Sequence, residues 1–187
     1  MVALLVVAGL VAGAAVGLFA PRVRANGHHH APHPATTRQI LLPFTGTTLS
    51  RRALEAAVRL ARVEEATLMP AFLATVPLHL SLDTSLPNMC EAGMPLLEAI
   101  EQRAAKQEIP VESRVERGRS YRHALERLLA AEHFDRVIIS ATDEPRVGLS
   151  GPDLLWLLEN ADAEVLILRP APEDTRVVSP GGLRGHF

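Results

Sequence analysis

Residues 136–170, RVIISATDEPRVGLSGPDLLWLLENADAEVLILRP, decide the fold of this chain. They read as strand, loop, helix, strand. Val137-Ile138-Ile139 and Val165-Leu166-Ile167-Leu168 are short apolar runs rich in β-branched residues. Such runs form strands covered on both faces, as in a parallel sheet flanked by helices. Between them Ser150 stands three residues ahead of Asp153, a capping box, and Pro152 falls in the first turn, where its missing N–H leaves no helical bond unmade. Leu154, Leu155, Leu157 and Leu158 supply the expected packing face. The loop over 140–149 leaves the carboxyl end of the first of these strands. Open α/β sheets place their ligand crevice there, so this loop is the first place to seek a small-molecule site.

The residues before this stretch repeat the same alternation. Ile40-Leu41-Leu42-Pro43-Phe44 is an apolar run ending in the turn Thr45-Gly46-Thr47-Thr48. A helix over 50–63 follows, with Ala53, Leu54, Ala57, Val58 and Ala61 on one face. Residues 42–46 also fit an LPxTG sorting signal, but a whole domain follows where that signal needs an apolar tail. Residues 67–76 read as the second strand, and Pro70 predicts a bulge or local break because an interior strand cannot spare the N–H. A long loop over 77–92 leads to a helix ending near Gln107, with Leu96, Leu97, Ile100 and Ala104 inward. Residues 111–115 alternate with polar residues and suit an edge strand. Gly118 marks a turn, and Ser120 caps a helix running to Glu132 on the stripe Ala124, Leu125, Leu128 and Leu129. Right-handed crossovers turn this order into an α/β fold over residues 38–170: a five-stranded doubly wound parallel sheet with strand order 3-2-1-4-5. Residues 171–187 carry no core pattern and are expected to be a disordered tail.

The chain has 187 residues and a formal net charge of −2, with a pI near 6.4. No global basic field invites nucleic acid. Cys90 is the one cysteine, so no intrachain disulfide forms.

Ahead of the domain, residues 2–20 carry no charged or polar side chain, enough to cross a hydrocarbon core as a transmembrane helix over 1–21. Arg22 and Arg24 follow it, which places the soluble domain in the cytoplasm of a single-pass membrane protein. A cleaved signal peptide is the rival reading. Against it, nothing basic precedes the apolar part, which is also longer than a usual signal core. Gly9, Gly13 and Gly17 share one face of that helix and suit close pairing of two anchors. Residues 22–37 form a linker holding Pro32, Pro34 and the histidines His28, His29, His30 and His33. An extracytoplasmic metal-binding protein is the alternative these histidines raise. A bare linker gives their imidazoles no neighbouring carboxylate or thiol, so no metal site is assigned.

Taken together, ILLPFTG with its amphipathic helix (40–46 onward), Glu116-Arg117-Gly118, FDRVIIS (134–140) and EVLILRP (164–170) resemble the universal stress protein family. The resemblance implies the sheet described above, dimers through the last strand, regulatory roles in stress or energy limitation, and ATP binding in some members. ATP-binding members carry an aspartate just after the first strand, where this chain has Thr45, and a G-x-x-G, nine residues, G-[S/T] loop. Here Ser140 and Asp143 stand at the first two glycines, Gly151 at the third, and Pro152 at the hydroxyl position. Asp153 already occupies the helix amino terminus as its capping anion, and Pro152 removes an N–H there. If a nucleotide binds, the residues around it are Pro43, Phe44, Thr45, Ser140, Thr142, Arg146, Gly148 and Gly151.

The expected function is a membrane-tethered regulatory or interaction module with a degenerate nucleotide loop, acting as a homodimer with a regulatory protein partner and without a resident cofactor. An ATP-binding member, or an enzyme acting on a nucleotide, is the alternative. No P-loop, no HxGH-type motif and no paired carboxylates beside a nucleophile support catalysis, and no catalytic residue is assigned. His123 and His133 read as ordinary helix-surface and helix-end histidines.

Overall fold

The computed structural model describes residues 38–46, 49–84, 87–141, 149–169 and 177–178. The expected transmembrane helix and linker, and the site candidates Thr142, Arg146 and Gly148, lie outside these residues. Among the described residues no helix is long and apolar enough to cross a membrane.

The elements run β1 (Gln39–Phe44), β2 (Leu49–Ser50), α1 (Arg51–Val63), β3 (Thr67–Thr75), α2 (Pro87–Ala105), β4 (Arg114–Gly118), α3 (Tyr121–Ala131), β5 (Arg136–Ser140), α4 (Gly151–Asn160), β6 (Glu164–Leu168) and β7 (Val177–Val178). Five strands form one parallel sheet in the order β4-β3-β1-β5-β6. The labels depart from 3-2-1-4-5 because the unforeseen two-residue strand β2 enters the count. Taken alone in chain order, the five strands of this sheet lie third, second, first, fourth, fifth.

The strand direction reverses its march at β1, so helices fall on both faces. On one face α1 and α2 cover Ile40, Leu42, Leu68, Phe72 and Ile138. On the other, Leu125, Leu128 and Phe134 with Leu157 of α4 cover Leu41, Met69, Leu73, Val137 and Ile139. The period of two along each strand sorts alternate residues to these two layers. Each helix start is fixed locally. The side chains of Ser50, Ser120 and Ser150 accept hydrogen bonds from the N–H groups of Ala53, His123 and Asp153, a cap contributing about 1 kcal/mol each.

Four expectations need correction. The loop expected to run to residue 92 is shorter, because α2 begins at Pro87, a residue suited to a first helical turn. The third strand lies three residues later than its alternating pattern indicated. At 111 only an isolated bridge to Leu68 forms, and continuous pairing starts at Ala71 with Arg114. Pro70 explains the gap. Leu68 turns its N–H and C=O toward this neighbour, bonding Pro110 and Glu112. Two residues on, Pro70 faces the same way without an N–H to give. Its pairing with Leu42 of β1 is unbroken, so the expected break falls on one side only. Third, the four leucines of α4 are not one packing face. Leu157 is buried, whereas Leu155 is 59 % exposed and Leu158 54 %, because α4 lies toward the edge of the sheet and meets it along a narrow stripe. Fourth, the tail is not wholly without structure: Val177 and Val178 pair antiparallel with Ser50 and Leu49.

Candidate functional site

Strands β3, β1 and β5 end side by side, and the order reverses at β1. The crevice of an open sheet forms at such a switch point, outside the carboxyl ends. At the end of β1, Thr45 is buried and the chain turns through Gly46, whose φ of 68° is a left-handed conformation that glycine adopts without strain. At the end of β5, Ser140 is 7 % exposed, and its Oγ is buried without a hydrogen-bond partner among the described residues. A buried hydroxyl left unpaired costs on the order of 1–3 kcal/mol, which sets Ser140 apart from the other strand-end residues. The next residue is held in the sheet, since Ala141 N–H donates to Leu168 O at 2.9 Å.

The candidates separate on this geometry. Thr45 and Ser140 stand on neighbouring strand ends. Phe44 is a core residue, its ring 5.7 Å from that of Phe72 at 42°; only its backbone borders the crevice. Pro43 lies within β1, opposite Ala71, and offers no N–H. Gly151 opens α4, exposed, and a Cβ added there would meet nothing within 4 Å among the described residues. No packing demand accounts for this glycine, and a ligand is free to approach its backbone. The Ser150 hydroxyl donates to Asp153 while accepting from its N–H. The amino terminus of α4 thus carries its own anion, which opposes a second one there.

One residue escaped the sequence reading. Arg119, just beyond β4, donates through Nη1 to Pro77 O at 2.6 Å, Leu80 O at 2.9 Å and Val76 O at 3.4 Å. Its own N–H donates to His123 Nδ1 at 3.1 Å. Val76 N–H donates to Gly118 O at 2.8 Å. The guanidinium therefore ties the segment after β3 to the end of β4. An arginine beside a capping serine carries no local signal of this, because its partners lie about forty residues away.

The described residues thus form a doubly wound α/β domain with Thr45 and Ser140 at the carboxyl ends of the two strands at its switch point. The profile of the Universal stress protein family matches residues 36–169. The chain belongs to that family. No match was found among curated proteins. Solved structures share the fold at low identity. A universal stress protein in complex with cAMP is 20 % identical, with TM-score 0.54, covering 70 % of this chain and 96 % of that one. The universal stress protein from Archaeoglobus fulgidus in complex with dAMP is 9 % identical, with TM-score 0.52, over 71 % and 97 %. A family protein from Arabidopsis thaliana with AMP bound is 11 % identical, with TM-score 0.51, over 74 % and 95 %.

Proposed function

We propose that this protein is a regulatory module of the universal stress class whose crevice takes an adenine mononucleotide in preference to ATP. The observation that carries the reading is the buried, unpartnered Oγ of Ser140 beside the end of β1. The three structural relatives described above hold AMP, dAMP and cAMP, each with one phosphate. One phosphate asks fewer backbone donors of the loop than three do. That suits a chain in which Ser140 and Asp143 replace glycines, Pro152 removes an N–H, and Asp153 occupies the helix end. In this reading binding itself is the output.

Two further parts complete the reading. The β6 edge serves as a homodimer contact: Ile167 is 38 % exposed on a strand whose outer backbone groups have no neighbour in the sheet. The uncharged residues 2–20, followed by Arg22 and Arg24, tether the pair to a membrane with the domain in the cytoplasm, where it meets a regulatory protein partner. Amino-terminal sequencing of membrane-fraction protein tests the tether, and a start near Asn26 in soluble protein would end it.

Calorimetric titration with AMP, cAMP and ATP tests the ligand. The expected result is AMP or cAMP binding with a dissociation constant near 10 μM, about −7 kcal/mol, and ATP at least tenfold weaker. ATP binding tighter than both, or binding by none, overturns the proposal.

A further inference from the structure

Positive charge is unevenly spread over this domain. Helix α1 carries four arginines, Arg51, Arg52, Arg59 and Arg62, against the single carboxylate of Glu55. Helix α4 carries Asp153 and Glu159 and no basic residue, in a chain whose net charge is −2. Arg52, Glu55, Arg59 and Arg62 follow one another at spacings of three and four, so they line one stripe of α1, roughly 15 Å long. All four are exposed. Glu55 is neutralised from the side by Arg51, whose Nε lies 2.9 Å from its Oε1. Among the described residues neither Arg59 nor Arg62 meets a carboxylate. Helix stability does not explain the set, because Arg51 and Arg52 stand in the first turn, where the positive end of the helix dipole disfavours them.

The stripe ends at an apolar residue, Val63, which is 75 % exposed. The chain enters the domain at that same end. Arg38 pairs with Glu64, the carboxyl cap of α1, at 3.6 Å, and its carbonyl accepts from Thr67 N–H at 2.8 Å. Residues 22–37 lie between this point and the uncharged run 2–20. Fully extended, such a linker reaches at most about 55 Å. An anchor on a leash of that length keeps the domain at high local concentration beside a bilayer, and the arginines nearest the attachment point are the two without carboxylate partners.

We propose that the outer face of α1, Arg52, Arg59 and Arg62 with Val63 at its end, docks on an anionic membrane surface. The arginines meet the phosphates and carboxylates of lipid headgroups, and Val63 reaches the acyl boundary beside them. This rests on the membrane tether proposed above. Lipid is favoured over nucleic acid because the attachment point lies at the stripe and the net charge of −2 supplies no wider basic field.

The test uses the full chain and its R52E/R62E variant, each reconstituted with vesicles of phosphatidylcholine alone or with about one third phosphatidylserine. Arginine modification by phenylglyoxal is read by mass spectrometry as the ratio of Arg59 to Arg122, an exposed arginine of α3 in the opposite helical layer. The ratio cancels differences in vesicle sidedness. In the parent it should fall about fivefold on the serine lipid and recover in about 0.5 M salt. In the variant it should be equal on the two lipids. An equal ratio in the parent overturns the docking face. A fall that persists in the variant places the contact elsewhere and overturns it too. A fall of the same size on adding duplex DNA without vesicles overturns the assignment to lipid. Flotation separates the tether from the docking face. Parent protein that leaves phosphatidylcholine vesicles in high salt overturns the tether, and if its Arg59 is still shielded on the serine lipid, the docking face stands without it.

Discussion

The two edges of the sheet are finished in different ways. The β4 edge is closed by the chain itself. Its sequence, RVERG, carries three charged residues and one apolar side chain, and two of the charges are matched from α3 and its end: Arg127 Nε donates to Glu116 Oε1 at 2.9 Å, and Arg114 pairs with Glu132. Its last residue, Gly118, receives the start of α3 so closely that a Cβ there would lie 2.3 Å from the backbone nitrogen of Ala124. The β6 edge, EVLIL, has an apolar interior and is only half-covered on each side. Leu155 and Leu158 of α4 and Ile167 stay exposed there. Charged, alternating edges resist pairing with another chain and apolar ones invite it. Among the described residues, one edge has its charges matched within the chain, and the other leaves apolar side chains exposed.

That contrast can be broken at its strongest point first. Gly118→Ala forces backbone against backbone at the β4 edge, and we expect a loss of about 3 kcal/mol in stability by urea denaturation. An unchanged midpoint would mean that α3 does not seat as tightly as described. At the other edge, Ile167→Lys should leave the monomer within about 0.5 kcal/mol of the parent, since the side chain is partly exposed. It should weaken self-association at least a hundredfold, about 2.7 kcal/mol, in sedimentation velocity across a concentration series. A parent protein that sediments as a monomer at tens of micromolar removes the basis for calling β6 a contact. The smallest effect sharpens the comparison. A double-mutant cycle on Glu116 and Arg127 should give a coupling of about 0.5 kcal/mol, reduced by salt, because the arginine is partly exposed to solvent. No change in association should accompany it. If breaking this pair creates dimers, the β4 charges guard the edge rather than merely decorate it.

Much of this was legible in the residues. Strands β1 and β5 announce themselves because both faces are buried and their interiors, Ile40 to Phe44 and Val137 to Ile139, are apolar. The helix starts at Ser50, Ser120 and Ser150 are legible because a cap is a contact across three residues. The loop after β5 stands out by its place in the chain order, and the residues at 140, 143 and 152 that differ from the family's glycine-rich pattern are visible as residue types. The family, too, followed from order and spacing alone.

Other features became visible only in three dimensions. The three-residue shift of β4 follows from Pro70 on the neighbouring strand, a partner the local alternation does not contain. The exposure of Leu155 and Leu158 depends on how much sheet lies beneath α4, which a leucine pattern does not state. Arg119 meets carbonyls of Val76, Pro77 and Leu80 across a strand-to-strand gap. β7 is two valines in a polar tail, whose partners Leu49 and Ser50 lie far away in the chain. The sequence determined the elements and their order, because those rest on periodicity and caps that act over a few residues. The tertiary structure decided which edge is left open, which hydroxyl is stranded at the crevice and where the tail returns, because each of these is a contact between residues far apart in the chain.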